Sequence, residues 1–261
     1  MPTTQKTLRI YSWNVNGLRA AAKKGFLDWF HTTQPDILGL QETRVHPDEL
    51  PQALRCPDGY HSYWGVCERK GYSGVALYTR QEPLEVQCGL GIPEFDKEGR
   101  TIIAHYPDFV FITAYFPNGS RDNLRVPFKM DYCAAFLATC QQLRAQGKTV
   151  IFCGDVNTSH KPIDLARPRE NRHHTGFLPE ECAWMDELVG AGYVDSFRYL
   201  YPERTGAYTW WSQFGGARQR NTGWRLDYFF VSEEGKGRIA AADIHPTVLG
   251  SDHCPVSLSW L

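Results

Sequence analysis

The sequence predicts an α/β protein in which two antiparallel-rich β-sheets pack together and helices cover their outer faces. Apolar strand-like runs and helical patterns are mixed along the chain, which indicates an α/β or α+β architecture. The runs 100–106 and 109–116 flank Pro107-Asp108 and predict an antiparallel hairpin, which excludes a purely parallel βαβ repeat. Because no linker or low-complexity segment divides the chain, we expect one domain over residues 8–261 and a disordered tail over residues 1–7.

Four elements are predicted in the first third of the chain. Residues 8–13 form an apolar strand, and residues 19–33 have apolar side chains at helical spacing up to the stop at Pro35. Residues 36–42 predict a buried strand, and residues 72–78 predict another strand after a glycine-containing loop.

After the hairpin, the pattern predicts two helices and three strands. The helices span residues 128–145 and 179–188, and the second begins with a proline at a tolerated first-turn position. The strands span residues 149–157, 226–231 and 255–260.

Two of these strands end in similar ways. The first runs into Asn14-Val-Asn16, and the strand from Thr149 runs through a glycine into Asp155-Val-Asn157. The similarity between the two segments suggests a pseudo-symmetric pair of sheets whose strand ends converge on one site. The alternative is that Gly, Asp and Asn form a solvated turn, since all three favour turns.

Composition sets limits on function. The 261 residues are 42% hydrophobic, which is enough for a large core, and the formal net charge is −1. A polyanionic partner therefore requires a local basic face. Eight scattered cysteines without a Cys-x-x-Cys pair, and no signal-peptide pattern, favour reduced intracellular thiols over a zinc ribbon or a disulfide framework. The apolar runs are too short to cross a bilayer.

Polar side chains collect where predicted strands end. They are Asn14, Glu42, Tyr115, Asn118, Asp155, Asn157, Asp227, Asp252 and His253. Carboxylates and amides without thiolates favour a hard cation, Mg²⁺ or Mn²⁺. The sequence contains neither a Gly-x-Ser-x-Gly elbow nor a Walker-type phosphate loop. A cation, an imidazole and a second carboxylate suit in-line attack of water on a phosphodiester.

Two of these acids and the histidine have competing interpretations. An Asp-His dipeptide such as Asp252-His253 is commonly a surface turn. Asp227, in contrast, lies between Leu226 and Tyr228 in an apolar strand, where a buried carboxylate requires a partner. Orienting His253 is the natural role for it.

Six segments resemble, in order and spacing, the exonuclease III family of apurinic/apyrimidinic (AP) DNA endonucleases, within the endonuclease/exonuclease/phosphatase superfamily. These segments are SWNVNGLRA (12–20), LQET (40–43), AYFPNG (114–119), GDVN (154–157), GWRLDYF (223–229) and GSDHCPV (250–256). The linking segments 169–181 and 209–225 also look like this family rather than its phosphatase or lipid-hydrolase relatives. The resemblance implies a four-layer α/β sandwich, with two packed mixed sheets flanked by helices on both outer faces.

The resemblance also implies roles for the polar set. Glu42 is the principal Mg²⁺ carboxylate, and Mn²⁺ is an acceptable substitute. Asp155 activates the attacking water or protonates the leaving 3′-oxygen, and His253 contacts the phosphate. The implied catalytic residues are Tyr115, Asn118, Asp155, Asn157, Asp227 and His253. The implied metal-side residues are Asn14, Glu42, Asp155, Asn157, Asp252 and His253.

One position departs from part of that family. Some members have Asp where this chain has Asn16, which removes a negative charge from the metal side and puts a second metal position in doubt.

DNA contacts are expected from a local basic face and from aromatic side chains at the site. Large aromatics at the rim suit a pocket for a flipped-out deoxyribose, and we expect Trp224 and one of Trp210 and Trp211 there. The expected contacts are Arg19, Lys23, Lys24, Tyr72, Arg121, Asn171, His174, Trp210, Phe214, Arg218, Arg220 and Trp224.

The resulting hypothesis is a nuclease that cleaves double-stranded DNA 5′ to an abasic site and trims blocked or recessed 3′ ends. A monomer in the cytoplasm, associated with the nucleoid and not with a membrane, is expected. The alternatives are a chiefly 3′→5′ exonuclease, a relative that hydrolyses phospholipid or inositol phosphate headgroups, and a catalytically silent DNA-binding protein on the same fold.

Overall fold

The computed structural model describes residues 7–261, and the predicted disordered tail lies outside this range except for Thr7. The strands are β1 Leu8–Asn14, β2 Ile37–Gln41, β3 His61–Gly65, β4 Val75–Thr79, β5 Glu85–Cys88, β6 Thr101–His105, β7 Val110–Tyr115, β8 Val150–Asp155, β9 Tyr193–Asp195, β10 Trp210–Trp211, β11 Gly223–Trp224, β12 Asp227–Ser232, β13 Ile239–Ile244 and β14 Val256–Trp260. The α-helices are α1 Leu18–Ala22, α2 Phe26–Thr33, α3 Gln52–Arg55, α4 Pro93–Asp96, α5 Val126–Ala145, α6 Pro168–Asn171, α7 Pro179–Gly190 and α8 Ser196–Leu200.

Two six-stranded sheets carry the fold. Their strand orders are β13-β14-β1-β2-β4-β3 and β5-β6-β7-β8-β12-β9. Each sheet is mixed, because one central pair is parallel (β1 with β2, and β7 with β8) while the other pairs are antiparallel. The two strands of each parallel pair therefore have their carboxyl ends side by side, at the same end of the sheet.

The layers are held by three large apolar clusters. One cluster fills the space between the sheets and includes Ile10, Phe111 and Ile151. A second packs the β7–β8 sheet against α5 and α7, and a third packs the β1–β2 sheet against α1 and α2. The result is a four-layer α/β sandwich, which confirms the predicted fold class.

The predicted hairpin is confirmed. β6 and β7 pair antiparallel with Thr101 opposite Ala114. The amide of Tyr106 donates to the carbonyl of Phe109 at 2.9 Å, so that Pro107 and Asp108 form a two-residue turn.

Two predicted elements were wrong in their limits. The single helix over 19–33 is broken into α1 and α2, because Gly25 takes a φ of 96° that an α-helix does not permit. The strand predicted from Tyr72 begins only at Val75, since Ser73 and Gly74 have φ values of 48° and 88°.

Several strands were not predicted. β3 and β5 lie at sheet edges and have partly exposed side chains, so they lack the continuous apolar run of a central strand. β9 has three residues and β10 and β11 have two each, which is too short for a periodic signal.

All eight cysteines are free thiols. Within residues 7–261, no helix has the length and apolarity needed to span a membrane.

A buried polar layer lies between the sheets directly below the edge where the parallel strands end. The Gln41 Nε2 group donates to Ser12 Oγ at 3.1 Å and to Thr113 Oγ1, on the other sheet, at 3.0 Å. The sheets approach closely here, since a Cβ at Gly39 would lie 2.6 Å from Thr113 Oγ1 and 3.0 Å from Cys153 Sγ. This layer fixes the spacing of the sheets immediately beneath the polar strand ends.

Replacement of Gly39 by alanine tests this spacing. We expect Gly39→Ala to lower the free energy of unfolding by about 1–3 kcal/mol, because the added methyl group overpacks the interface. Gly237→Ala, where a Cβ meets nothing within 4 Å, is the control and should be neutral or stabilising by up to about 1 kcal/mol. Urea denaturation of both variants measures the difference, and equal stabilities would contradict the tight approach.

Candidate active site between the two sheets

The side chains that end the central strands project into the space between the sheets. Alternate residues of a strand share a face, so Ile151, Cys153 and Asp155 point the same way along β8. The first two belong to the inter-sheet core. The same alternation carries β1 from Ile10 to Asn14, and the two strand ends meet across the interface. The predicted convergence of the two similar segments, at the ends of β1 and β8, is therefore confirmed.

The amide of Asn14 joins the two sheets at this point. Its Nδ2 group donates to Glu42 Oε1 and to Asp155 Oδ2, both at 2.8 Å, which uses both of its N–H bonds. Its Oδ1 atom accepts from the backbone amide of Asn16 at 3.0 Å. Glu42 takes a left-handed φ of 51° just past β2 and forms an ion pair with Arg44.

A second amide chain orders the β7–β8 side. The backbone amide of Asn157 donates to Asp155 Oδ1 at 2.8 Å, and its side-chain Nδ2 donates to the carbonyl of Phe116 at 2.9 Å. Asn118 Nδ2 donates to Asn157 Oδ1 at 3.1 Å. The loops after β7 and β8 are thus linked through their amide side chains.

Tyr115 is buried between Glu42 and a buried guanidinium. Arg100 lies over its ring at 4.7 Å from the centroid and donates to its carbonyl at 3.0 Å. Burial, followed by the negative charge of Glu42, raises the pKa of Tyr115 well above its usual value. The phenol therefore keeps its proton and is a hydrogen-bond donor at neutral pH.

His253 is held as a cation. Its Nδ1 lies 2.8 Å from Asp227 Oδ2, and its Nε2 lies 3.8 Å from Asp155 Oδ2. Burial lowers the pKa of His253, but the charges of Asp227, Asp155 and Asp252 outweigh it and raise the pKa to about 10. Asp227 also accepts from the hydroxyl of Thr209 at 2.6 Å, which fixes its orientation. The predicted Asp–His pair is present in the structure.

Asp155 is a buried carboxylate with a raised pKa. Burial raises the pKa of Asp155 most; the charge of His253 opposes this shift, and Asp227 and Glu42 add to it. A carboxylate with a raised pKa accepts a proton more readily than an ordinary aspartate does.

Glu42, Asp155 and His253 present ligand atoms that all lie within 4.8 Å of one another. Two carboxylates with an amide beside them fit a hard divalent cation. Glu42 and Asp155 supply the carboxylate oxygens of this group, and His253 lies beside them with its Nε2 3.8 Å from Asp155 Oδ2. A divalent ion here would favour the ionised form of Asp155.

Asp252 is occupied by hydrogen bonds. Its Oδ1 accepts from Asn16 Nδ2 at 2.8 Å and its Oδ2 accepts from the indole of Trp210 at 3.2 Å. Burial raises its pKa, but His253, Asn16 and Trp210 outweigh this and lower it. These contacts link Asp252 to Asn16 and Trp210, so both of its carboxylate oxygens accept hydrogen bonds from neighbouring side chains.

The polar set opens into a cleft of about 590 Å³. Trp210 and Trp224 stand edge to face on its wall, with ring centroids 6.4 Å apart, while Trp211 is buried on the opposite side of the strand. Of the predicted DNA contacts, this cleft brings together Asn171, His174, Trp210 and Trp224.

Other predicted contacts lie outside the cleft lining. Arg19, Lys23, Lys24, Arg121 and Arg220 are exposed, and Phe214 is 85% exposed. Tyr72 lines a neighbouring groove with Arg44, and its hydroxyl accepts from Arg100 at 3.1 Å and also from Arg125.

Arg218 differs from an exposed phosphate contact. Its guanidinium donates to the carbonyls of Ser251, Pro246 and Val248 at 2.7–2.9 Å and lies over the ring of Trp211 at 4.6 Å. We therefore assign Arg218 to the support of the loop that carries Asp252.

The sequence argument missed several residues of the site. Arg44, Arg167, Thr175 and Leu226 line the cleft, and Thr209 orients Asp227. Arg44 is two residues past Glu42, which was a usable signal. The others depend on loop conformations that leave no periodic pattern.

Comparison with known proteins gives a family match over most of the chain. The model of the Endonuclease/Exonuclease/phosphatase family matches residues 11–253. The match therefore includes every residue of the polar set, from Asn14 to His253.

Individual relatives are similar over nearly the whole chain. An exodeoxyribonuclease of Bacillus subtilis is 44% identical over 252 residues, which covers 96% of this chain and 98% of that protein. The DNA repair nuclease APEX1 of Danio rerio is 46% identical over 253 residues, which covers 96% of this chain and 81% of that protein. The crystal structure of the AP endonuclease LMAP from Leishmania major matches with a TM-score of 0.88 at 29% identity, covering 98% of this chain and 88% of that one.

The charge state of His253 can be tested without any substrate. We expect Asp227→Asn to lower the pKa of His253 by at least about one unit, because it removes the anion that most favours the imidazolium. NMR titration of the imidazole in the metal-free protein measures this change. Asp186→Asn, which removes an exposed carboxylate paired with His160, should leave His253 unaffected. An unchanged titration in Asp227→Asn would contradict the ion pair.

Proposed function

Because the chain belongs to the endonuclease/exonuclease/phosphatase family, we propose that it is a DNA-repair nuclease that hydrolyses the phosphodiester 5′ to an abasic site in double-stranded DNA. One observation carries the proposal: a single cleft combines the Asn14–Glu42–Asp155 cluster and His253 with a wall of two tryptophans. The first set suits phosphodiester hydrolysis, and the tryptophan wall suits a flipped-out sugar without a base.

The phosphate is held by donors that converge on the cleft. His253 Nε2 donates to a non-bridging oxygen, because the charges of Asp227 and Asp155 favour the imidazolium, which carries a proton on both nitrogens. Asn118 and the Tyr115 phenol supply uncharged donors from the β7 side. These groups orient the phosphorus for in-line attack and stabilise the charge that develops on its oxygens.

Asp155 accepts a proton from the attacking water. Its Oδ1 is anchored by the backbone of Asn157 and its Oδ2 by Asn14, which fixes the direction of the carboxylate. The water oxygen forms the new bond to phosphorus, and the bond to the 3′-oxygen breaks with its electron pair on that oxygen. This oxygen takes up a proton from solvent water to become the 3′-hydroxyl, and the other product is a 5′-deoxyribose phosphate. Glu42 and Asp155 would hold Mg²⁺, for which Mn²⁺ could substitute, and the bound ion would supply charge stabilisation at the scissile phosphate.

The same chemistry at a recessed or blocked 3′ end gives 3′-end trimming or 3′→5′ exonuclease action. The Bacillus subtilis relative, which is named an exodeoxyribonuclease, favours this second activity. We further propose a monomer that works inside the cell, in the cytoplasm at the nucleoid.

The decisive assay uses a labelled duplex with one abasic analogue, beside an intact duplex with a recessed 3′ end, in Mg²⁺ or EDTA. We expect cleavage 5′ to the lesion in Mg²⁺ alone, and a loss of about 10²–10⁴-fold in Asp155→Asn, which cannot accept the proton. Binding of the uncleaved duplex should persist in that variant.

The alternatives give different results in this assay. Digestion from the recessed end alone would identify chiefly an exonuclease. Binding without cleavage of either duplex would identify a silent DNA-binding protein. Hydrolysis of inositol phosphates or phospholipid headgroups, with both duplexes intact, would identify a relative with another phosphodiester substrate.

Metal binding provides a separate prediction. We expect Glu42→Gln to raise the Mg²⁺ or Mn²⁺ concentration needed for half-saturation by at least about 10-fold, because a charged oxygen ligand is lost. Calorimetric titration of the free protein measures it directly. Glu49→Gln, which alters a surface carboxylate paired with Arg19 and Lys70, is the control. Equal affinities in the two variants would remove Glu42 from the metal site.

A further inference from the structure

The ammonium group of Lys129 is buried behind the cleft wall. Lys129 lies on α5 with none of its surface exposed. Its Nζ donates to the carbonyl of Asn157 at 2.7 Å, to Thr158 Oγ1 at 2.7 Å and to Glu181 Oε1 at 2.6 Å. An ammonium has three N–H bonds, and each has an acceptor here.

Glu181, the partner on α7, is equally satisfied. Its Oε1 also accepts from Thr175 Oγ1 at 2.8 Å, and its Oε2 accepts from the amides of Gly176 at 2.6 Å and Leu178 at 3.0 Å. The carboxylate therefore ties the segment 175–178, part of which lines the cleft, to the ammonium.

These contacts close into a ring that runs around the cleft wall. Thr175 Oγ1 accepts from the amide of Gly119 at 3.1 Å. The neighbouring residue, Asn118, donates through its side chain to Asn157 Oδ1 at 3.1 Å, and the carbonyl of Asn157 returns the ring to Lys129. The loops are in close contact, since a Cβ at Gly119 would lie 2.2 Å from Thr175 Oγ1.

We propose that Lys129 is a positioning residue for the hydrolysis, acting through Asn157. This inference rests on the proposed function. Asn157 adopts a left-handed φ of 53°, an uncommon conformation for a residue other than glycine. The ammonium holds the carbonyl of that residue, so the side-chain amide stays aimed at Asn118 and the backbone amide stays on Asp155.

Stability alone is a weak reason for this buried pair. Well-packed apolar residues of similar volume commonly stabilise a protein as well as a buried ion pair does. What an apolar pair does not supply is three directed hydrogen bonds on the loops that carry Asn118 and Asn157. The positioning role therefore predicts that catalysis and folding respond differently when the charges are removed together.

The test compares the parent with Lys129→Met/Glu181→Gln, which removes both charges at once, on the duplex with one abasic analogue. We expect kcat to fall about 10- to 100-fold through misplacement of the phosphate contacts. The Kd for the uncleaved duplex in EDTA and the melting temperature should remain close to those of the parent. In a protein that already carries Asn157→Ala, the same pair of changes should lower kcat by less than about 3-fold. The side chain through which Lys129 acts is then already absent.

Two further variants make the outcome decisive. Thr175→Val breaks the ring on its other side. It removes one hydrogen bond to Glu181 but keeps both charges of the ion pair, and it should also lower kcat; it decides the question if the double variant does not fold. Arg144→Met/Glu234→Gln removes an ion pair from the far end of the same helix and should leave kcat unchanged.

Each remaining result overturns the inference. The inference would be wrong if both the Lys129/Glu181 variant and the Thr175 variant had the kcat of the parent. It would also be wrong if the fold-loss of kcat in the Lys129/Glu181 variant were the same with and without Asn157→Ala. A parent that cleaves no abasic DNA would contradict the proposed function itself, and the positioning role would fall with it.

Discussion

The two sheets are joined at the candidate active site by the side-chain amide of Asn14. Its Nδ2 group donates hydrogen bonds to Glu42 and to Asp155. Each carboxylate comes from a different sheet, and two buried carboxylates that face each other repel. A neutral amide with two N–H bonds can satisfy both without adding charge. An aspartate at position 14 would add a third negative charge, and an apolar residue would leave both oxygens unpaired. The identity of this side chain therefore decides whether the two sheets can present their acids to one ligand.

The packing below this amide determines how far apart the acids lie. Gln41 spans the interface from Ser12 to Thr113, and the absence of a side chain at Gly39 lets the sheets approach at that level. Because protein interiors are close-packed, a change of one methyl group there is transmitted to the strand ends above. A few close contacts between the sheets thus determine the distance between the strand ends at the site.

Most of what the sequence predicted concerns strands and their ends. The central strands carry long apolar runs that end in polar residues, so Glu42, Asp155 and Asp227 could be located without a structure. The break after α1 was missed, because the apolar spacing of Phe26 and Phe30 continues the helical pattern while the conformation of Gly25 interrupts it. The contacts of Lys129 were also missed, since a lysine in a helix is commonly exposed and its partners lie 28 to 52 residues away. Long-range hydrogen bonds leave no periodic trace in the chain.

The charge balance of the cleft indicates how a divalent cation would favour the approach of a phosphate. Glu42, Asp155, Asp252 and Glu170 line the cleft, and Asp227 lies directly behind it. The nearby positive groups are His253, Arg44 and Arg167. Each positive group is already paired with one of the acids, so an incoming phosphodiester meets an excess of negative charge. A divalent ion between Glu42 and Asp155 would cancel that excess and leave the His253 Nε2 proton free to face the phosphate. The neutral side chain of Asn16 adds no further negative charge to this excess.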